Sequence, residues 1–230
     1  MPEVTNGPEA AVLEELLEEL AEVDASLEHA PAARAIDWVL DRFGSSVVLA
    51  CSFEDMVVVD LVHRREPGIE VVFLDTGAHF EETLALAETA RARYDLNLKV
   101  TTPGPGAESW PCGTERCCQL RKVEPLREVL AGRGAWISGL KRADGPSRAD
   151  IPVVAYDPVF SLVKVNPLAA WTEADVAAYE AEHGLPVHPL KAAGYRSIGC
   201  APTTRAVVEG EEFRAGRWAG SEKTECGLHA

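Results

Sequence analysis

Positive charge is scarce in this chain. Its 230 residues carry 22 lysines and arginines against 37 aspartates and glutamates, a formal net charge of −15. Such a surface repels polyanions at long range, so nucleic acids and anionic membranes are disfavoured as partners. Long apolar runs are missing too, and nothing approaches the roughly 20 apolar residues of a membrane span. The opening Met1-Pro2-Glu3-Val4-Thr5-Asn6 is acidic, with no basic segment leading into an apolar one. The expectation is a cytoplasmic protein without a secretory signal. Cysteine is limited to Cys51, Cys112, Cys117, Cys118, Cys200 and Cys226. These are too few for a disulfide framework in a chain of this length, which leaves metal binding, redox chemistry or burial. What remains is ordinary: 47% hydrophobic and 26% charged residues suit a domain with a sizeable core.

The hydrophobic pattern changes period along the chain. Leu13, Leu16, Leu17, Leu20 and Val23 recur at helical spacing, an amphipathic helix behind a loose start. A second helix is expected from about Pro31 to Phe43, with proline in its first turn and Gly44 as its stop. Val47–Ala50 and Val71–Leu74 are short apolar runs of buried-strand type, and 98–100 and 135–138 are weaker strand candidates. Helices are expected between them at 54–65, 80–93 and 118–131, and another at 172–183 with Thr172 as cap. This alternation implies an α/β fold, a parallel twisted sheet flanked by helices, with ligands beyond the carboxyl ends of the strands. The expected organisation is an N-terminal tail and helix over 1–30, a main domain over 31–209 and a functional tail over 210–230.

Candidate chemistry collects at the strand ends. Ser52 follows the first strand, where a hydroxyl at a helix N-terminus can hold a phosphate or merely cap the helix. Asp75 ends the second strand and can accept hydrogen bonds from a sugar or base, or close a turn. Cys117 and Cys118 are ill placed to pair with each other. Vicinal thiolates can instead ligate neighbouring irons of a cluster, with Cys200 as a third donor and Lys122 offsetting their charge; inert burial is the alternative. The basic residues are not scattered. Lys141, Arg142 and Arg148 share one loop after the fourth strand, and Arg214 and Arg217 lie near the C-terminus. Arginine's planar fork suits sulfate or phosphate. Cys226 sits in Glu225-Cys226-Gly227-Leu228-His229, a tail expected to be exposed and mobile. A thiolate there, favoured by Lys223 and His229, attacks sulfur well if the tail reaches the site.

Together these segments resemble the assimilatory phosphoadenylyl/adenylyl-sulfate reductases from about Ala35 to His229. The resemblance rests on Leu74–Thr83, on Cys117-Cys118 with Arg121–Leu126, on Ile198–Pro202, on Arg214–Trp218 and above all on Glu225–His229. It implies an adenine nucleotide α-hydrolase-like fold with a mobile C-terminal tail. It also implies reduction of adenylylsulfate to sulfite and AMP with thioredoxin as electron donor, a step of sulfate assimilation toward cysteine. Cys226 then matches the catalytic nucleophile, which passes through an S-sulfocysteine. Ser52, Asp75, Lys141 and Arg142 match nucleotide-binding segments; Arg148, Arg214 and Arg217 match cations that face sulfate or phosphate. Lys122 matches a lysine between substrate and cluster. Cys117, Cys118 and Cys200 match ligands of a [4Fe-4S] cluster, the mark of the adenylylsulfate-specific subgroup.

One position departs from the pattern: Thr203 stands where the family has its fourth cluster cysteine. A hydroxyl is a hard, weakly acidic oxygen and replaces thiolate poorly on iron. Another donor completes the set, with Cys112 the nearest spare thiol, or the cluster is labile or three-iron, or it is absent. The competing identity is a 3′-phosphoadenylylsulfate reductase with a degraded or lost cluster. Adenylating enzymes of similar fold need a glycine-rich loop that Cys51-Ser52-Phe53-Glu54-Asp55 lacks. A non-catalytic iron-sulfur or nucleotide sensor leaves Glu225–His229 without a task. Cys51 is expected to be buried, and self-association into a homo-oligomer stays open.

Overall fold

Valine- and leucine-rich runs without polar alternation form strands that can be covered on both faces. In the computed structural model, which describes residues 8–221 and 223–228, these strands make the centre of the molecule. The strands are β1 (Val47–Ala50), β2 (Glu70–Leu74), β3 (Asn97–Thr101), β4 (Ala135–Ile137), β5 (Val154–Asp157) and β6 (Leu162–Val165). They form one sheet of order β3-β2-β1-β4-β6-β5, parallel except for the antiparallel β5–β6 pair. Val48, Leu49, Trp136 and Ile137 are buried on the two central strands. From β1 the chain runs first toward β2 and β3 and later returns to β4 on the other side. That reversal leaves a crevice at the carboxyl ends of β1 and β4, where such sheets bind ligands.

The helices are α1 (Pro8–Leu27), α2 (Ala32–Phe43), α3 (Val57–His63), α4 (Glu81–Tyr94), α5 (Glu115–Cys118), α6 (Glu124–Leu130), α7 (Glu173–Glu182) and α8 (Pro189–Ala192). Among the described residues, no helix is long and apolar enough to cross a membrane. In α1, Leu20 is buried and Leu16, Val23 and Leu27 pack against the main core. Its Asp24 accepts the backbone N–H groups of Val153 and Val154 at 2.7 and 3.0 Å, which ties the helix to the edge strand β5. Thr172 caps α7 as expected, accepting from Asp175 N at 3.2 Å.

Three local expectations change. The helix expected at 54–65 starts only at Val57, because Phe53 takes a left-handed φ of 54° and Asp55 Oδ1 accepts from Val57 N at 3.1 Å. The helix expected over 118–131 is α5, a π turn over Gln119–Val123, and α6. Pro125 has no N–H for the carbonyl of Arg121, and widening the preceding turn to π spacing relieves that gap. Finally, the β5–β6 hairpin was not expected at all. Its turn is held by Asp157, whose Oδ1 accepts from Val159 N at 2.9 Å and from Phe160 N at 3.3 Å, with Ser161 at φ 59°.

Candidate active site

The crevice opens into a cleft that is partly open to solvent. The loops after β1, β2 and β4 form its walls, and the C-terminal segment closes it. Ser52 lines the cleft, but from the loop that precedes α3 and not as a helix cap. Beside it Cys51 is buried, and that burial pushes its thiol up to about 12, so it is an inert neighbour. Asp75 does not reach the cleft; its Oδ1 closes a turn by accepting from Gly77 N at 2.9 Å. Thr76 and His79 from the same loop line the wall instead. Arg142 is likewise drawn away. Its guanidinium holds Glu28 of α1, with Nη2 at 2.7 Å from Oε2, and its Nε donates to Ile151 O at 2.8 Å.

Four of the expected cations do converge on the cleft from the β4 loop and the C-terminal segment. Lys141 Nζ lies 3.3 Å from Asp55 Oδ2 and 3.6 Å from Asp144 Oδ1. Arg148 donates to Asp144 at 2.6 Å. Its other edge grips Glu225 through two parallel bonds of 2.7 and 3.0 Å, the fork geometry that makes arginine–carboxylate pairs strong. Arg214 adds 3.2 Å to Glu225 and 3.1 Å to Thr224 O, and Ser147 Oγ completes the clamp at 3.1 Å. Burial, with Arg148 and Arg217 adding to it, holds the Arg214 guanidinium at about 10, well below the usual arginine range.

Arg217 and Lys122 are different. Among the described residues neither forms an ion pair with a carboxylate, and Arg217 Nε is buried without a hydrogen-bond partner. Arg217 lies over Trp218, its guanidinium carbon 4.6 Å from the ring centroid, and reaches Ser197 Oγ at 3.3 Å. Its approach requires Gly199: a Cβ there would meet Arg217 Nη2 at 2.2 Å. Lys122 comes from the π turn, which aims it between the cleft and a smaller cavity behind it; Lys122 and Arg217 line both. Burial opposes the charge on Lys122, but Cys226 and Cys200 outweigh it and hold the ammonium above its ordinary value.

Cys226 also lines the cleft, and here an expectation is corrected. The terminal thiol is not exposed: it is 7% accessible and packs with Cys118, Trp218 and Leu228. Lys223 does not attend it. Its Nζ lies 2.9 Å from Glu115 Oε1 and 3.3 Å from Cys118 Sγ, so the cation near Cys226 is Lys122. His229 lies outside the described residues. The clamp on Glu225 escaped the sequence reading; the only signal was an acidic residue directly before Cys226.

Behind the cleft, the smaller cavity is lined by Cys112, Cys117, Cys118, Cys200 and Thr203, with Trp218 as one wall. All the cysteines are free. Thr114 holds the start of α5 by accepting from Cys117 N at 3.3 Å, and Thr76 Oγ1 lies 3.6 Å from Cys200 Sγ. No three of the described His, Cys, Asp or Glu side chains converge as the ligands of a single metal ion.

The sheet, with its site at the carboxyl edge, has the adenine nucleotide α-hydrolase-like fold. Phosphoadenylyl-sulfate reductase from Candida auris shares the fold, with a TM-score of 0.72 at 24% identity over 82% of this chain and 97% of that one. FMN adenylyltransferase from Candida glabrata follows with a TM-score of 0.59 at 16% identity, over 83% of this chain and 73% of that one. Residues 46–206 match the phosphoadenosine phosphosulfate reductase domain, and the chain belongs to that family. Among its relatives, the adenosine 5′-phosphosulfate reductase of Streptomyces coelicolor is 46% identical over 94% of this chain and 95% of its own length. That of Mycobacteroides abscessus is 44% identical over 90% and 91%.

Proposed function

We propose that this protein reduces adenylylsulfate to sulfite and AMP, with Cys226 as nucleophile and a dithiol of thioredoxin type as electron donor. The observation that carries the proposal is the position of Cys226, lining the same cleft as Lys122 and Arg217, the two cations that pair with no carboxylate among the described residues. An anionic sulfuryl group entering there meets Lys122 and Arg217 without first displacing a carboxylate of the described residues. The names and identities of the relatives support the same substrate.

The reaction is written as two substitutions, each easier than direct reduction. The Cys226 thiolate attacks the sulfuryl sulfur; an S–S bond forms, the S–O bond to the phosphate breaks, and AMP leaves with the bonding pair. A donor thiolate then attacks Cys226 Sγ and sulfite leaves with the electron pair of the S–S bond. The donor's second thiol closes its disulfide and releases Cys226, so sulfur gains two electrons and the donor dithiol loses two. The first step needs a docked tail and the second an accessible Sγ, so the Glu225 clamp must open between them. Free thiols throughout the chain suit a reducing compartment such as the cytoplasm.

Cys117, Cys118 and Cys200 would hold the [4Fe-4S] cluster, and the donor set fits: soft thiols line one cavity beside the cations Lys122 and Arg217. Such a cluster would supply a polarisable iron-sulfur centre beside Lys122. Thr203 favours a second reading, a 3′-phosphoadenylylsulfate reductase that works without it. Sulfite release from the two nucleotides separates the readings, with preference for adenylylsulfate expected. The nucleophile is tested by omitting the donor. The tail peptide should then carry a sulfonate on Cys226, with AMP released once per chain; AMP release without that adduct removes Cys226 from the chemistry.

A further inference from the structure

Thr203 offers no thiol where the resemblance implies a fourth ligand, and Cys112 lines the same small cavity. We infer that Cys112 supplies the fourth thiolate of the iron-sulfur site, in place of residue 203. The inference rests on the reading that Cys117, Cys118 and Cys200 hold a cluster, and adds the donor that reading lacks.

Cys112 lies in the turn that leads into α5, five positions before Cys117, and lines the same small cavity as the other three thiols. Its side chain lines that cavity together with Cys200, an expected ligand, and Thr203, the position that departs from the pattern. The turn is built to press on Thr203. Gly113 takes a left-handed φ of 94°, and a Cβ there would come within 3.0 Å of Thr203 Cγ2. The 112–113 turn and residue 203 are therefore packed against each other, with the sulfur on the 112 side of the contact. The backbone at 203 is tied independently, since Trp218 N donates to Thr203 O at 2.8 Å. Softness decides between the two candidates: a thiolate binds iron far better than a threonine hydroxyl. Four thiols around one cavity is also the number that an all-cysteine cluster requires.

The test uses the full chain purified without oxygen, with iron and acid-labile sulfide analysis and Mössbauer spectra as readouts. The unaltered protein should hold about four irons and four sulfides, all in thiolate-ligated sites. Cys112→Ser should lose the site or retain a three-iron form. The double variant Cys112→Ser/Thr203→Cys should regain all four irons, which excludes simple misfolding of the first variant. If Cys112→Ser keeps about four irons with an unchanged spectrum, the inference is overturned while the cluster reading stands. If the unaltered protein takes up no iron even after reconstitution with ferrous iron and sulfide, both are overturned. A Cys112–Cys200 disulfide in protein purified without oxygen overturns the ligand assignment as well.

Discussion

Removing the charge of Glu225 should free Cys226 without touching it. In the docked tail Glu225 accepts two bonds from Arg148, one from Arg214 and one from Ser147, with only 13% of its side chain exposed. Hydrogen bonds to charged groups contribute about 1.5–3 kcal/mol each, and they are not additive. Glu225→Gln keeps an amide oxygen for one arginine edge but places an N–H where a cation must be accommodated. We expect docking to weaken by about 2–3 kcal/mol, less than the 3–5 kcal/mol for breaking a fully buried pair. At 1.4 kcal/mol per tenfold, that is roughly 30- to 140-fold more undocked tail. The assay is the alkylation rate of Cys226, followed by peptide mass spectrometry without substrate. Cys51, whose thiol burial pushes up to about 12, serves as an internal control and should stay unlabelled at neutral pH. Burial opposes the Glu225 charge, but the bonds and charge of Arg148, then Arg214, hold its carboxyl below the ordinary 4.5. The clamp is therefore intact above about pH 4.5 and is lost as pH falls through the lowered value, so the ratio of variant to unaltered rate should be flat near neutrality. Rates within twofold of each other would refute the claim that this ion pair holds the tail.

Gly199→Ala tests the cation without a carboxylate partner. Its new methyl would sit 2.2 Å from Arg217 Nη2, so the guanidinium must leave its place on Trp218. Losing one charge-assisted contact should raise KM for the nucleotide about tenfold or more, and a KM within twofold of the original would place the substrate elsewhere. His188 gives a prediction far from the chemistry. It is fully buried, its Nε2 lies 2.9 Å from Thr83 Oγ1, and its Nδ1 accepts from Leu190 N at 3.2 Å. Burial, with Lys191 assisting and Glu82 opposing, lowers it to about 4 from an ordinary 6.5. The unfolded chain binds this proton first, so stability is full above pH 6.5 and falls by about 3 kcal/mol as pH drops toward 4. His188→Asn, which keeps a cap for α8, should flatten Tm between pH 6.5 and 4.5; an unchanged slope would assign it to other groups.

The parallel half of the fold was legible because buried parallel strands announce themselves as unbroken apolar runs, as Val47–Ala50 and Val71–Leu74 do. The β5–β6 hairpin was not, because Val154-Ala155-Tyr156-Asp157 is short and its turn depends on one aspartate side chain and on a serine in a left-handed conformation. The site was legible in its residue types more than in its partners. Clustering of Lys141, Arg148, Arg214 and Arg217 was visible, but nothing in their spacing says that Asp55, Asp144 and Glu225 take up three of them. Arg142 belonged to the same cluster on paper. It serves α1 because Glu28, 114 positions earlier, folds back against it. The burial of Cys226 was hidden for the same reason: a glycine-containing terminus signals freedom, and the clamp that removes that freedom is a tertiary contact.

These partners explain how so acidic a chain can handle an anion. Bare arginines packed into one cleft would repel one another; burial first, then Arg148 and Arg217, lowers Arg214. Asp55 and Asp144 neutralise the part of the cluster that belongs to the body of the protein, while Glu225 travels with the tail. Docking therefore carries a negative charge to Arg148 and Arg214 in the same movement that carries sulfur to Lys122 and Arg217. In the proposed second step, a tail lifted to meet its donor would leave Arg148 and Arg214 without that carboxylate and open to the nucleotide anion remaining in the cleft. Binding of the product anion and release of the tail would then be coupled through the same two guanidinium groups. The coupling has a definite sign: AMP in the cleft should speed the labelling of Cys226 in the unaltered protein and have little effect in Glu225→Gln, where the competition is already weakened.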